Sequence, residues 1–572
     1  MNRSPIVWLL GAACAGLAAC STVAPKPVAE ATVPVQAVQT LPNVKLTSNI
    51  LYELLLGEIA GQRGHLNVAV TELTRAAMQT RDPRLAERAT LVSLYARHPK
   101  EAEQSGRLWV ELEPDSIEAH EALATVLMDN GKMSDAEGEL KKILKLSPAD
   151  HLPQTYLRIA AVMGRVQDHA AALQIMQSLA QLNPRLPEAQ FAVAHLAVRS
   201  GDLDTANQAI DRALKLRPAW EEAALFKLRV LASQKDTHKV IAFSEKFLKA
   251  HPHATDFRMN YARYLVDLKQ WDRALDQFKR VASDTPNDPD AVYAVGLLGL
   301  QTGDLDLAQK YLERDLALQP DNDQARLYLG QIAEQRKHYD DAARWYRGVP
   351  AGNNYFEAQA RLSMVMAEQG DLNGARAHLH QLHPASVQQR VQLALTEEEM
   401  LSNAKQYQEA DRVLTDALAK LPNNIDLLYA RALVEVKLNR LDLHEADLRA
   451  ILKQDPKNVN ALNALGYTLA DRTTRYHEAL GLVKQALALR PNDPYIMDSM
   501  GWVQYRLGNN AEAVKYLRAA LEKRPDAEIS AHLGEVLWVM GQKSEAESVW
   551  NRALKTTPDN EVLLGIIKKF KP

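Results

Sequence analysis

The stretch from Asn492 to Pro525 reads NDPYIMDSMGWVQYRLGNNAEAVKYLRAALEKRP and carries the pattern that decides the fold. Its first half predicts a helix whose apolar face is formed by Ile496, Met497, Met500 and Val503. Gly501 lies in the same helix, where only a small residue lets a neighbouring helix approach. Gly508 and Asn509 then break the pattern, and a second helix runs to the closing proline, which cannot continue it. The second helix places small and large apolar residues at Ala513, Leu517, Ala520 and Leu521.

The same pattern returns along nearly the whole chain. Prolines close successive units from Pro83 to Pro558, and eight of the intervals between them are 34 residues. Glycine-containing turns such as Gly303-Asp304 separate the two predicted helices in several units. A small alanine opens the second helix in most units, at Ala69, Ala102, Ala136, Ala172, Ala206, Ala274, Ala308, Ala342, Ala375, Ala410, Ala479, Ala513 and Ala546.

The unit resembles the tetratricopeptide repeat, which has this length and this spacing of small, large and closing residues. The resemblance implies an all-α fold, a right-handed superhelical solenoid of about fifteen tetratricopeptide repeats over residues 47–558. A closing helix is expected from Asp559 to Phe570, within a capping segment of residues 559–572. Each unit buries its apolar face only by stacking on its neighbours.

Some units depart from the pattern. The unit from Ala219 to Pro252 has Val240 and Phe247 at small positions and no turn glycine. The interval from Pro320 to Pro350 is short, and the one from Pro384 to Pro422 is long. We expect these irregular intervals to change the local winding and to mark a bend between two sub-arrays.

Charge and cysteine content exclude several classes of function. The 68 basic and 71 acidic residues are mixed throughout, so no basic face for nucleic acid is predicted. Cys14 and Cys20 are the two cysteines, so the folded body holds no disulfide framework and no cysteine metal site. We expect no cofactor.

The amino terminus has the layout of a bacterial export signal. Arg3 precedes an apolar run from Ile6 to about Leu17, which is too short to span a membrane. The sequence Leu-Ala-Ala-Cys-Ser that ends at Ser21 resembles the bacterial lipobox. The resemblance implies a signal peptide of residues 1–19 and attachment of diacylglycerol and a further fatty acid such as palmitate to Cys20. The alternative is an ordinary signal peptide with an incidental cysteine.

Ser21 stands where lipoproteins kept in the inner membrane usually have Asp, so the resemblance implies sorting to the outer membrane. Several acyl chains on one residue give essentially permanent anchoring. Residues 20–46 are rich in proline and lack a helical period, which predicts an extended tether. The expected location is therefore the periplasmic face of the outer membrane.

The repeat region lacks the common sequence signatures of catalysis. It contains no zinc-binding His-Glu-x-x-His, no Gly-x-Ser-x-Gly and no phosphate-binding loop, so we predict that the chain is not an enzyme. An enzyme fused to repeats would need a domain for which the units leave no room. His378, His380 and His383 form the nearest metal-like cluster, and only His380 and His383 are expected to share a helical face. Ordinary surface histidines are expected there, without a metal.

Candidate binding residues lie on the wall formed by the first helices. Aromatic rings there offer contact area at low entropic cost, and asparagine amides can hydrogen-bond a peptide backbone in both directions. We therefore predict a protein-binding groove, with the alternative that some rings pack between neighbouring units. Counting from Gly501 as the eighth repeat position, the wall residues are Asn460, Asn463, Tyr467, Tyr495, Asp498, Trp502, Tyr505, Glu535 and Trp538.

Longer segments carry a closer resemblance. They are LYELLLGEIAGQRG (Leu51 to Gly64), TRDPRLAERAT (Thr80 to Thr90), ALNALGYTLADRTTRY (Ala461 to Tyr476), DSMGWVQYRLG (Asp498 to Gly508) and AHLGEVLWVMG (Ala531 to Gly541). They are similar to outer-membrane repeat lipoproteins that act as adaptors for a periplasmic carboxy-terminal processing protease. The resemblance implies a noncatalytic scaffold that binds the protease and its substrates, including cell-wall hydrolases. The alternative is an assembly scaffold for envelope export or polysaccharide secretion.

Overall fold

The computed structural model describes residues 44–571, and over that range the chain forms α-helices and no strands. Thirty-one helices follow one another in residues 44–571, joined by short connections. Contacts divide the chain into two compact units, one ending at Arg314 and the other beginning at Asp315, inside a helix. The predicted all-α repeat fold is confirmed.

The first unit holds fifteen helices and most of the sixteenth. They are α1 (Ser48–Gln62), α2 (Leu66–Thr80), α3 (Pro83–Tyr95), α4 (Pro99–Leu112), α5 (Ile117–Asp129), α6 (Met133–Leu146), α7 (Leu152–Met163), α8 (His169–Ala180), α9 (Pro187–Arg199), α10 (Leu203–Leu216), α11 (Glu221–Ser233), α12 (Thr237–Ala250), α13 (Thr255–Asp267), α14 (Trp271–Asp284), α15 (Pro289–Thr302) and α16 (Leu305–Leu318).

The second unit holds the remaining helices. They are α17 (Asp323–Gln335), α18 (Tyr339–Arg347), α19 (Tyr355–Glu368), α20 (Leu372–His380), α21 (Val387–Asn403), α22 (Tyr407–Lys420), α23 (Ile425–Lys437), α24 (Leu441–Gln454), α25 (Val459–Arg472), α26 (Tyr476–Leu489), α27 (Pro494–Arg506), α28 (Asn510–Lys523), α29 (Ala527–Val539), α30 (Lys543–Thr556) and α31 (Glu561–Phe570).

Local signals set the ends of the helices in the quoted stretch. The side chain of Asp493 caps α27 by accepting hydrogen bonds from the backbone amides of Tyr495 and Ile496, at 3.0 and 3.3 Å. Pro494 occupies the first turn, where its missing amide hydrogen costs nothing. Gly508 ends the helix with a φ of 86°, a conformation that glycine adopts without strain.

Helix pairs pack closely where the sequence predicted small residues. A methyl group added to Gly501 would lie 2.6 Å from Cγ of Leu517 in the following helix, so a larger residue here would force a shift in the packing. Ala513 and Ala520 are fully buried, as is Leu517. All thirteen of the alanines predicted to open second helices are buried as well, at 0 or 1% exposure. The predicted contacts between paired helices are therefore confirmed.

The turns within the pairs use glycine less uniformly than the sequence suggested. Seven glycines in residues 44–571 have positive φ, and so do seven other residues. The unit without a turn glycine makes its turn through Lys235, at a φ of 59°. Lysine, arginine or asparagine therefore occupies the left-handed conformation in about half of the turns, at a modest energetic cost per residue. The positive-φ residues other than glycine are Arg97, Lys235, Lys269, Lys337, Lys405 and Asn439, which lie in turns within pairs, and Arg81, which lies between α2 and α3 of neighbouring pairs.

The irregular intervals correspond to helices of unusual length. The second helix of the short interval, α18, has nine residues, and α21 in the long interval has seventeen. The division between the two units falls after Arg314, close to the start of the irregular region. The predicted bend stays a prediction.

Each unit has its own apolar interior. In the first, a core built from helices α5 to α11 includes Leu127, Tyr156, Met176 and Ile210. In the second, helices α21 to α27 share a core that includes Leu414, Leu448, Val483 and Val503, and α28 to α31 pack around Trp550. In residues 44–571, none of the helices combines the length and the apolar character needed to cross a membrane.

Candidate functional site

A groove of about 810 Å³ opens on one side of the second unit. Every residue that lines it comes from α31 or from one of the first helices α23, α25, α27 and α29. The groove is therefore built by five alternate helices along the chain, α23, α25, α27, α29 and α31. Its lining is formed by Val436, Lys437, Tyr467, Thr468, Asp471, Arg472, Trp502, Tyr505, Arg506, Glu528, His532, Glu535, Val562, Ile566 and Lys569.

A buried ion pair lies at the base of the groove. Nδ1 of His532 donates to the carboxylate of Asp498, at 2.9 Å from Oδ1 and 3.1 Å from Oδ2. The two side chains belong to α29 and α27, so the pair links consecutive units. Burial disfavours the charged imidazole, but the carboxylate of Asp498 outweighs burial and raises the pKa of His532.

Aromatic side chains surround the imidazole. The indole ring of Trp502 stacks on His532, with 4.3 Å between ring centroids and 28° between ring planes. Its Nε1 donates to Oδ1 of Asp471 at 3.2 Å. Trp502 is only 6% exposed, so most of its ring belongs to the packing between units. The hydroxyl of Tyr467 lies 3.3 Å from Nε2 of His532. The imidazole is therefore held between Tyr467 at Nε2 and Asp498 at Nδ1.

A second polar chain joins the groove to the closing helix. Oη of Tyr505 donates to Oε1 of Glu535 at 3.2 Å, and Nζ of Lys569 lies 2.9 Å from the same oxygen. Burial, followed by the charge of Glu535, raises the pKa of Tyr505 to about 12, so the phenol remains a donor. This chain fixes α31 against α29.

The mouth of the groove combines charged and apolar surface. Val436 and Ile566 are half-buried and Val562 is exposed. Lys437 and Glu528 are exposed and make no side-chain hydrogen bond or ion pair with the described residues. Enclosure by the groove walls, rather than a partner, raises the pKa of Glu528. The lining therefore offers apolar contact area together with one available cation and one available carboxylate.

The structure brings five of the nine predicted wall residues together in this groove. Tyr467, Trp502, Tyr505 and Glu535 line it, and Asp498 lies directly beneath through His532. Trp538 instead stacks on Trp550 at 5.6 Å, inside the packing at the end of the array.

The other three predicted wall residues also lie outside the groove lining. The ring of Tyr495 is covered by the guanidinium of Arg524 at 5.1 Å. Asn460 and Asn463 are half-buried on α25. The buried Oδ1 of Asn463 has no hydrogen-bond partner among the described residues.

Sequence reasoning missed eleven of the fifteen residues that line the groove. Glu528 lies six residues before Gly534, the same register as Tyr495 before Gly501, so the repeat count could have found it. His532 lies two residues before Gly534, a register that was not assigned to the wall. The other nine omissions include Asp471 and Lys569, both of which hydrogen-bond to predicted wall residues.

The predicted geometry of the histidine cluster is wrong in one respect. Helix α20 ends at His380, so His383 lies beyond it and the two do not share a helical face. His380 contacts Oε2 of Glu397 at 2.8 Å, and His378 contacts Oε1 of Gln359 at 3.0 Å. No cluster of three or more potential metal ligands occurs in the part of the chain that the structure describes.

Both ring nitrogens of His532 have partners within the groove wall. Nδ1 is bound to the carboxylate and Nε2 contacts Tyr467, so neither nitrogen faces the groove freely. A general base needs a nitrogen within reach of the substrate proton. The arrangement instead links α27 and α29 within the groove wall. The predicted lipidation site, Cys20, lies outside the described residues.

Comparison with known proteins places the chain among repeat proteins. The tetratricopeptide repeat family model matches residues 293–356, 429–494 and 499–561, and a second model of the same description matches residues 231–298. The TPR repeat-containing protein PA4667 of Pseudomonas aeruginosa is 34% identical over 85% of this chain and 82% of its own length.

More distant similarities extend to other repeat proteins. Cellulose synthase operon protein C of Pseudomonas fluorescens is 25% identical over 74% of this chain, and the match spans 32% of that protein. The crystal structure of TTC0263, a repeat protein of Thermus thermophilus, is 22% identical, with a TM-score of 0.28, and covers 32% of this chain and 98% of its own. The matched fold is a scaffold that is typically noncatalytic.

Proposed function

The chain belongs to the tetratricopeptide-repeat family that includes PA4667 of Pseudomonas aeruginosa, and from this premise we propose that it is a noncatalytic protease adaptor. It is a lipid-anchored scaffold that recruits a carboxy-terminal processing protease and presents substrates to it. Those substrates include cell-wall hydrolases. The observation that carries the proposal is the groove formed by α23, α25, α27, α29 and α31, whose mixed lining of apolar, aromatic and charged side chains suits another polypeptide.

The groove is the proposed binding site for substrates of the protease. Val562 and Ile566 supply apolar contact area, and Tyr467 and Tyr505 supply rings whose hydroxyls carry hydrogen bonds. Polar and apolar groups that converge in one concave site are typical of recognition surfaces. The buried Asp498–His532 pair holds this wall rigid before any ligand arrives, which lowers the entropic cost of binding.

The first helix offers a separate surface for the protease. Leu51, Leu55 and Ile59 recur every fourth residue along α1, and Tyr52 lies beside them. All four are exposed, and Leu55 retains 52% of its surface. Such contiguous apolar faces mark interaction sites in folded proteins. The stripe also lies within the segment from Leu51 to Gly64, on which the resemblance to protease adaptors partly rests.

Acylation of Cys20 is the proposed means of attachment to the periplasmic face of the outer membrane. The lipobox sequence around Cys20 and the serine that follows it support this assignment. We expect radiolabelled palmitate to enter the wild-type chain and not the Cys20→Ala variant. Recovery of unlabelled wild-type chain in the soluble fraction would reject the anchor.

Affinity purification from mildly solubilised envelopes tests protease recruitment. We expect the wild-type chain to recover the protease and the Leu55→Asp variant to lose it, because a charge in the apolar stripe opposes burial. Leu182→Asp is the matched control, since Leu182 is 51% exposed and lies outside α1. Absence of any protease with the wild-type chain would count against the adaptor function, and equal recovery with both variants would reject α1 as its docking site.

A second candidate function is an assembly scaffold for polysaccharide secretion. The similarity to cellulose synthase operon protein C favours it, although the match spans only 32% of that protein. The same purification distinguishes the two functions. Recovery of a glycan synthase and an outer-membrane porin, in place of a protease, would support the secretion scaffold.

A further inference from the structure

Tyr467 holds a particular place in the hydrogen-bond chain of the groove. Its hydroxyl oxygen lies 3.3 Å from Nε2 of His532, while Nδ1 of the same ring is bound to Asp498 at 2.9 Å. The imidazole is 3% exposed and is held in place by the stacked ring of Trp502. The direction of the hydrogen bond at Tyr467 therefore depends on whether Nε2 carries a hydrogen.

The surroundings of the imidazole favour its charged form. Burial opposes that form, but the carboxylate of Asp498 and, beyond it, that of Glu528 raise the pKa of His532. Both ring nitrogens then carry hydrogen, so Nε2 donates and the oxygen of Tyr467 accepts. Burial also raises the pKa of Tyr467, which keeps its phenol protonated. The hydroxyl hydrogen of Tyr467 is thus left available to another acceptor.

Charged groups face this part of the groove from every helix that lines it. Cations and carboxylates are mixed among them, so the lining does not require a charged ligand and a neutral carbonyl suits the position beside Tyr467. Besides Tyr467, Asp498 and His532, the titratable and charged groups are Lys437 on α23, Asp471 and Arg472 on α25, Tyr505 and Arg506 on α27, Glu528 and Glu535 on α29, and Lys569 on α31.

We propose that the hydroxyl of Tyr467 donates a hydrogen bond to a backbone carbonyl of an extended, unfolded polypeptide, and that the Asp498–His532 pair keeps this hydroxyl a donor. The inference rests on the proposed function, in which the groove receives protease substrates. In a folded protein most backbone carbonyls are buried or paired within secondary structure, so a segment without secondary structure offers this donor many more accessible acceptors. The occupant is therefore an unfolded segment rather than a folded surface.

Binding of one protein in two states tests the selection. The probe is α-lactalbumin, either native or reduced and carbamidomethylated, which unfolds it without adding charge. We expect the full-length wild-type chain to bind the unfolded probe and not the native one. Tyr467→Phe, which removes one hydroxyl, should weaken this binding about two- to tenfold, the range expected for a single hydrogen bond.

The pH dependence of an isosteric variant tests the role of the buried pair. Asp498→Asn removes the charge that keeps His532 protonated, so Nε2 should become an acceptor and engage the hydroxyl of Tyr467. We expect the variant to bind the unfolded probe about two- to tenfold more weakly at pH 7.5 and to regain affinity only at acidic pH, because burial lowers the pKa of the imidazole once the charge of Asp498 is removed. Combining Asp498→Asn with Tyr467→Phe should abolish the regain, which a purely structural role would not predict.

The possible failures can be told apart. If the wild-type chain prefers the unfolded probe but Tyr467→Phe binds it equally well, the inference is overturned and the groove function stands. If Asp498→Asn shows no recovery of affinity at low pH, the buried pair does not control the hydroxyl. If the wild-type chain does not prefer the unfolded probe, the inference falls together with the proposed substrate groove.

Discussion

Asp498 and His532 form a buried ion pair that joins two consecutive repeat units, with 2.9 Å between Oδ1 and Nδ1. Each comes from the first helix of its unit, so the contact spans α27 and α29. Removing one member of such a pair is costly because it leaves an uncompensated charge in the interior. The stability of this part of the array should therefore depend on the protonation of His532.

We expect the pair to make α29 less stable at alkaline pH. The folded-state pKa of His532 is raised, so its stabilising effect is fully present below the unfolded value of about 6.5 and is lost as the pH rises through the folded value. Asp498→Asn should lower local stability by about 1.5–3 kcal/mol at acidic pH and flatten the pH dependence. Hydrogen exchange of the α29 amides measures the local stability and its pH dependence. Identical pH profiles for the wild-type and Asp498→Asn chains would reject the assignment.

A buried carboxyl elsewhere in the second unit predicts a further dependence on pH. Burial, followed by repulsion from Asp447, raises the pKa of Glu435 to about 7. A raised pKa again means that stability is complete below the unfolded value of about 4.3 and falls as the pH approaches and passes the folded value. Glu435→Gln should therefore raise the free energy of unfolding at pH 8 by about 1–3 kcal/mol relative to wild type. Urea denaturation at pH 5 and pH 8 checks this prediction. An equal change in the free energy of unfolding at the two pH values would contradict it.

Two glycines provide a matched test of helix packing. Gly501→Ala should destabilise the array by about 1–3 kcal/mol, because the new methyl group would overlap Leu517. Gly481 lies in α26 with no atom within 4 Å of an added methyl group, so Gly481→Ala should stabilise by about 1 kcal/mol. Thermal unfolding of both variants distinguishes the two positions. Similar shifts in the same direction would show that the close approach at Gly501 is tolerated.

The turn at Lys235 should accept glycine with a gain in stability. Its φ of 59° is unfavourable for a residue with a side chain, by about 1–2 kcal/mol. Glycine removes that cost but loses some entropy on folding, so Lys235→Gly should stabilise by up to about 1 kcal/mol. Gly303→Ala, at a φ of 80°, is the opposite change and should destabilise by about the same amount. Thermal midpoints that move together would reject this account of the turns.

Much of the fold could be predicted because each repeat shows the same requirement for small residues where its two helices meet. Gly501 and Ala513 must be small wherever two helices of a unit meet, and the spacing of such residues is visible along the chain. Counting repeat positions from Gly501 also predicts which side of the first helices lines the groove. The turn at Lys235 was less visible, because the left-handed conformation there is merely costly for lysine and not forbidden.

The chemistry of the groove could be predicted only in part. The count placed Trp502 and Trp538 on the wall, but whether a ring faces the groove or the next unit depends on packing between units. Trp502 is largely covered by His532, and Trp538 lies against Trp550. The pairing of His532 with Asp498 requires the relative rotation of two neighbouring helices, which the sequence pattern does not specify.

The most direct measurement is the rate at which the processing protease recovered from envelopes cleaves reduced, carbamidomethylated α-lactalbumin with and without this chain. We expect no cleavage by the chain alone and faster cleavage when it accompanies the protease. Val562→Asp, in the groove lining, should abolish the acceleration, whereas Leu564→Asp, equally exposed on α31 but outside the lining, should preserve it. An unchanged rate with the wild-type chain, or equal rates with the two variants, would contradict an adaptor that binds its substrates in this groove.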